Sequence, residues 1–284
     1  MAYDSIQAML DDYERTGMPL AELIYQSQQA ESGVSREAFA ARMEKLWDTM
    51  LAVSDGYTGD EKSWSGLVGG DARRLAEAPA LCGELMTQVM AEALKQAESN
   101  ACMRVIVAAP TAGSCGVLPA VLIPLHRQGA SRAQILEALT VAAGVGQVIA
   151  KRASISGAEG GCQAEIGSAS AMAAAAVVML RGGTPAQAAH GLAMALKNLL
   201  GLVCDPVAGL VEIPCVKRNV IGAVNALSSA QMALAGIESR IPADEVIDAM
   251  RRVGAIMAPS LRETGEGGLA ATPTGREAAK KLFG

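Results

Sequence analysis

Apolar residues recur along most of this chain at helical spacing. Ile6, Met9, Leu10 and Tyr13 fall at i, i+3, i+4 and i+7, and Leu20, Leu23 and Ile24 repeat the pattern beyond Gly17, which predicts two short amphipathic helices. Ser35 then precedes Phe39, Met43, Leu46, Trp47, Met50 and Leu51, the signature of a capped and longer helix. The run SDGYTGDEKSWSGLVGGDARRL is too polar for core and reads as a loop, in which Gly69 and Gly70 let the backbone approach a ligand or another segment closely. Leu81, Leu85, Val89 and Leu94 mark another helix, and residues 104–108 a short extended piece.

Beyond that point the pattern turns almost wholly apolar. APTAGSCGVLPAVLIPLH reads as a small-residue turn feeding a helix from about Val117; free amides at such a turn suit an anion such as a carboxylate, and a plain loop-to-helix junction explains the residues equally well. Ser131 caps a helix through Ile135, Leu139, Ala142, Val145 and Ile149, ending near Lys151 and Arg152. The run ASISGAEGGCQAEIGSASAMAAAAVVML is polar and glycine-rich in front and nearly unbroken small and apolar behind, so a ligand-bearing loop is expected to feed a buried helix. Thr184-Pro185 starts a further helix that Gly201 stops; Lys217, Arg218 and Asn219 open one over 220–237, and Pro242 leads the last, through Val246, Met250, Val253 and Met257, before a glycine-rich tail. The fold class this predicts is all-α, a compact helical domain of small residues.

Composition sharpens that picture. Of 284 residues 51% are hydrophobic but only 3% aromatic, with Ala, Gly and Met prominent, so the core is built from side chains that let helices approach closely. No linker, repeat or low-complexity tract divides the chain. Its 24 basic and 29 acidic residues give a net charge of −5, and no basic stripe interleaves with aromatics, which argues against a nucleic-acid partner. The N-terminal run MAYDSIQAMLDDYER has acids where a signal peptide needs a basic region, so a cytoplasmic protein is expected. Uncharged stretches at 105–126 and 219–237 are broken by Pro110, Pro119 and Pro124, or by Asn219, Asn225 and Gln231; buried helices explain them better than membrane spans.

The six cysteines, in a reducing compartment, are packing residues, reactive thiols or metal ligands. Cys82 and Cys102 read as structural and Cys115 as a packed thiol. Cys162, Cys204 and Cys215 differ: each sits beside glycine or proline, in GGCQAEIGSAS and VCDPVAGLVEIPC, 42 and 11 positions apart. That spacing excludes the tight knuckle of zinc ribbons, while backbone able to wrap closely is what thiolates holding a cluster need. The two histidines, His126 and His190, form no pair with metal-ligand spacing, and the chain has no phosphate loop, dinucleotide fingerprint or nucleophile elbow.

The runs APTAGSCGVLPAVL, SISGAEGGCQAEIGSASAMAAAA, CDPVAGLVEIPCVKRNVIGAVNAL and ETGEGGLAATPTG closely resemble the α subunit of the iron-sulfur-dependent L-serine dehydratases, or L-serine ammonia-lyases. The resemblance extends from about the SGLVGGDARRL loop to the C-terminus. It implies a 4Fe-4S cluster on Cys162, Cys204 and Cys215 with one iron free of protein thiolate, and a single catalytic α domain over 1–284, with N-terminal helices over 1–60 and a cluster-bearing core over 100–275. Some relatives carry α and β parts on one chain, so a separate β subunit is implied here.

The implied reaction removes water from L-serine. An open iron takes up the hydroxyl, a base removes the Cα proton, and the resulting aminoacrylate becomes pyruvate and ammonia. Thr111, Ser114, Ser154, Ser156 and Asn219 are the candidates to hold carboxylate and amine, with Lys217 or Arg218 offsetting negative charge. Lys217, a serine of the SISG turn such as Ser156, or a histidine of the β subunit are the candidate bases. Turn-capping serines and solvated cations are the plain alternatives. Competing functions are a cluster-dependent cysteine desulfidase, a threonine dehydratase, or a helical scaffold stabilised by zinc.

Overall fold

The Ser5 hydroxyl accepts the amide of Ala8 at 3.0 Å and caps the first helix. The computed structural model describes residues 3–284, which form thirteen α-helices and no strands. In chain order these are α1 (Ile6–Thr16), α2 (Leu20–Ser32), α3 (Arg36–Asp55), α4 (Asp71–Glu77), α5 (Glu84–Ala101), α6 (Val117–Arg127), α7 (Arg132–Arg152), α8 (Gly157–Gly160), α9 (Ser168–Leu180), α10 (Pro185–Lys197), α11 (Cys215–Leu234), α12 (Ala243–Ile256) and α13 (Pro273–Phe283). The all-α expectation is met.

The core is centred on α9. Every residue from Ser168 to Val178 is buried, as befits a helix that is apolar all round. Around it pack α7, α10, α11 and α6; alanine at 169, 171 and 173–176 leaves room for those backbones to close in. A few polar ties fix the register. Asn225 on α11 donates to Ser170 Oγ at 2.8 Å and to the carbonyl of Ala195 on α10 at 2.7 Å, while Ser170 Oγ donates to the Gly222 carbonyl at 2.8 Å. Two segments are long and apolar enough to span a bilayer, Arg132–Arg152 and Gln163–Leu180, and their apolar windows are 61% and 83% buried in the protein interior.

The N-terminal helices close over one side of this core. Asp244, in the first turn of α12, accepts the amides of Ile6 and Gln7 at 2.9 and 3.0 Å and so caps α1 from outside. On α2, Ile24 packs against α7 where Gly144 leaves space.

Three local expectations need correction, those bearing on α4, α11 and α13. The polar run after α3 carries the start of α4, while Gly69 makes the close backbone approach expected of it: at φ +136° its missing Cβ would lie 2.1 Å from the Glu61 carbonyl oxygen. Residues 104–108 lie outside any helix, as expected, and join no sheet. The helix expected over 220–237 begins at Cys215, because Pro214 serves as its N-terminal boundary and Lys217, Arg218 and Asn219 form its first turns. The glycine-rich tail holds α13, which starts at Thr272-Pro273 with the Thr272 hydroxyl accepting the Gly275 amide at 3.1 Å.

Candidate metal centre

The stretch expected to be a ligand-bearing loop folds instead into two short helical turns. Ser156 leads into α8, Gly161 breaks it with φ +77°, and Cys162 opens a π-helical turn over Gln163–Gly167 that runs straight into α9. Such wide turns inside helices often mark functional sites. Here it places Cys162 and Glu165, three residues apart, on one face.

Cys204 arrives from a different direction. It follows α10 in an irregular segment held by the chain's later part: its amide donates to the Leu261 carbonyl and its carbonyl accepts the Glu263 amide, both at 2.8 Å, in an isolated parallel bridge. Asp205 extends the join, with Oδ2 accepting the Leu269 amide at 2.8 Å. The ligand atoms of Cys162, Glu165 and Cys204 all lie within 4.8 Å of one another, and all three residues are buried or nearly so. Cys215, 5% exposed, stands at the first position of α11, next to this group rather than inside it.

The space among these groups is kept by glycine. A Cβ on Gly157 would lie 2.8 Å from Glu165 Oε2 and 3.0 Å from Cys204 Sγ, and one on Gly113 would lie 3.2 Å from Glu165 Oε1. Thr111 donates its hydroxyl to Glu165 Oε1 at 2.7 Å. Burial pushes the Glu165 carboxyl above the ordinary carboxylate range, with the Thr111 hydrogen bond opposing. The Cys204 thiol donates to Cys162, which, with the Arg218 guanidinium, holds Cys162 below the ordinary thiol value; Cys204 is correspondingly pushed up, by the same bond and by burial. Burial also raises Cys215, reinforced by the charges of Cys162 and Glu165. A soft donor set of this kind, with a nearby cation to offset thiolate charge, fits iron or zinc far better than magnesium or calcium.

The other candidate residues fall into three groups. Arg218 is at the site, with its side chain 15% exposed and donating to the Val203 carbonyl and to Asp205 Oδ1, both at 2.8 Å. Asn219 is fully committed beside it: Oδ1 accepts the Gly116 amide at 2.8 Å, and Nδ2 donates to the carbonyls of Gly113 at 2.8 Å and Cys215 at 2.9 Å. Ser114 is wholly buried and bonds within its own turn, to Thr111 and to the Ala109 carbonyl. The amides of Thr111, Ser114, Cys115 and Gly116 all donate within the protein, so few remain for an anion.

Ser154 and Lys217 lie elsewhere. Ser154 donates to Glu159 at 2.6 Å and lines a cavity of about 230 Å³ against α12. The Lys217 side chain is 68% exposed and its Nζ is held by Asp71 at 2.8 Å, so no contact joins it to the thiols. Ser156 N accepts its place in the turn by donating to Ser154 Oγ at 3.0 Å, and among the described residues its own hydroxyl has no partner. Reading the sequence alone missed Glu165 and Asp205. The C-x2-E spacing on a helical turn was the available signal for the first; nothing local announces the second.

A family model described as serine dehydratase alpha chain matches residues 15–270. The chain is 51% identical over 267 residues, 92% of its own length and 89% of the relative's, to a probable L-serine dehydratase, alpha chain, from Bacillus subtilis (strain 168). It is 41% identical over 280 residues, 96% of each chain, to the L-serine dehydratase, alpha chain, of Peptoniphilus asaccharolyticus. A longer relative, L-serine dehydratase 2 of Escherichia coli (strain K12), is 36% identical over 285 residues, which is 94% of this chain but 61% of that protein.

Proposed function

The chain belongs to the serine dehydratase alpha chain family, and on that premise we propose that it is the catalytic α subunit of an L-serine ammonia-lyase, converting L-serine to pyruvate and ammonia with a 4Fe-4S cluster on Cys162, Cys204 and Cys215. The observation that carries the proposal is the convergence of two of these thiols from segments 42 positions apart in sequence onto one glycine-lined interior. Held there, the cluster supplies the Lewis acidity that expelling hydroxide demands.

The protein's own groups account for the rest. Arg218, inside the site and always charged, offsets thiolate and carboxylate charge. Thr111 keeps Glu165 turned toward the cysteines. Ser156, whose hydroxyl is uncommitted and which precedes Gly157 at the thiols, is the catalytic candidate best placed to touch substrate. Ser114 and Asn219 act by shaping the turn beside it, and a catalytic part for Lys217 requires it to leave Asp71 and turn inward. Ser154 would act from the neighbouring cleft. The names of the alpha-chain relatives, and the extra length of the longer relative, support a separate β subunit as the partner.

The test is anaerobic purification, alone and with a co-expressed β partner, followed by iron and acid-labile sulfide analysis and a pyruvate assay. About four irons and four sulfides per chain are expected, lost on replacing any of the three cysteines, together with pyruvate from L-serine. Zinc without sulfide and no pyruvate would leave a metal-stabilised scaffold. Release of 2-oxobutyrate from threonine, or sulfide from cysteine, in preference to pyruvate from serine would reassign the substrate.

A further inference from the structure

Glu263 occupies a backbone position that favours glycine. The segment that pairs with Cys204 turns through left-handed conformations at Glu263 (φ +63°), Gly265 (φ +70°) and Gly268 (φ +55°). Glycine adopts that conformation freely, whereas a residue with a Cβ is strained in it. The turn is tied on both sides and holds the strain. The Glu263 amide donates to the Cys204 carbonyl and the Cys204 amide to the Leu261 carbonyl, both at 2.8 Å, and the Leu269 amide donates to Asp205 Oδ2 at 2.8 Å. Strain that the surroundings maintain points to a side chain needed at that place.

That side chain is exposed, and among the described residues no hydrogen bond or ion pair engages its carboxylate. Its charge nonetheless reaches the metal centre. Burial lifts the Glu165 carboxyl and the bond with Cys162 lifts the Cys204 thiol, and in each case the negative charge of Glu263 adds to the rise. Glu263 therefore stands at the solvent edge of the centre, where an uncompensated carboxylate beside thiolates draws in a cation.

The neighbouring groups leave that task open. Arg218 neutralises Asp205, and Glu165 is enclosed and bonded to Thr111. Of the residues expected to hold an amine, Ser114 bonds within its own turn, Ser154 donates to Glu159, and Asn219 makes three hydrogen bonds inside the protein.

We propose that Glu263 binds the α-ammonium group of L-serine at the solvent edge of the metal centre and so sets the preference for an amino acid over a plain hydroxy acid. The inference rests on the lyase reading above. The two groups meet already charged, so no proton moves between them, and the Cα proton goes to a different base.

The experiment compares wild type, Glu263→Gln and Glu263→Gly, each purified without air with the β partner and matched for iron content. Pyruvate formation from L-serine is followed with and without 3-hydroxypropanoate, which keeps the carboxylate and the hydroxyl but lacks the amine, as a competitive inhibitor. Glu263→Gln is expected to raise KM for L-serine at least about tenfold with kcat within about threefold, the pattern of a lost contact made equally in ground and transition states. Its inhibition constant for 3-hydroxypropanoate should stay within about threefold of wild type, whereas a distorted pocket would weaken both ligands alike. Glu263→Gly should raise KM to the same extent while its thermal midpoint is unchanged or higher, because glycine relieves the strain. Wild-type KM in Glu263→Gln, or equal weakening of the two ligands, overturns the proposal. Unchanged KM with a lowered thermal midpoint in Glu263→Gly makes Glu263 a structural residue only. Iron-loaded wild type that forms no pyruvate removes the lyase reading itself, and this inference falls with it.

Discussion

Arg218 and Asp205 form an ion pair at 2.8 Å in which the carboxylate is 4% exposed and the guanidinium 15%. The pair joins the first turn of α11 to the segment that carries Cys204, and Asp205 passes the connection on to the Leu269 amide. Removing one member of a buried pair leaves the other uncompensated. Arg218→Met is therefore expected to cost about 3 kcal/mol of unfolding free energy and to lower bound iron sharply. Arg218→Lys should recover little of either, because a single ammonium does not reproduce a fork that reaches two acceptors. Urea unfolding and metal analysis of the two variants check this.

Asn219→Ala removes three hydrogen bonds, two that tie the 113–116 turn to α11 and one to the Cys215 carbonyl within α11. Its side chain is 1% exposed, so the freed amide and carbonyls gain no water. A loss of about 2–4 kcal/mol is expected, measured by denaturant unfolding. Asn219→Asp keeps the acceptor but turns a carboxylate oxygen on two buried carbonyls, and should cost at least as much.

Gly157→Ala tests the space at the thiols without disturbing the helices around it. The added methyl would sit 2.8 Å from Glu165 Oε2 and 3.0 Å from Cys204 Sγ, in the volume a metal centre needs. The variant is expected to keep wild-type helicity by circular dichroism while iron per chain falls by at least half. Full iron loading in a folded Gly157→Ala protein contradicts that assignment of the space.

Lys217→Ala should leave stability within about 1 kcal/mol of wild type, since the pair it breaks is largely exposed, and should leave both iron content and turnover near normal. The ion pair does have a pH signature. Lys217 lowers the Asp71 carboxyl below its ordinary 3.8, so the stability it adds is present above that value and is lost as pH falls through the depressed one. In Lys217→Ala the Asp71 resonance should titrate closer to 3.8, because Arg74 alone remains beside it. A loss of turnover with iron intact would restore Lys217 to the catalytic group.

The periodic helices were legible in the sequence because their apolar faces and caps are local: Ser35, Ser131 and Thr184 each accept the amide three residues on. The start of α11 was not, because Lys217 and Arg218 are unfavourable charges for a helix N-terminus and disguise it; Arg218 is there for Asp205. Thr272-Pro273 repeats the Thr184-Pro185 start, but the surrounding glycines hid α13. Cys162, Cys204 and Cys215 stood out by their glycine and proline neighbours. Glu165 did not, since its significance depends on Cys204 and Thr111 arriving from distant segments.

The bridge between Cys204 and residues 261–263 also sets an order of events during synthesis. A growing chain acquires all its site thiols by Cys215, yet the backbone that fixes Cys204 is translated later, after the whole of α12. The pocket proposed to hold a metal is therefore unfinished until the chain through Leu269 has been made.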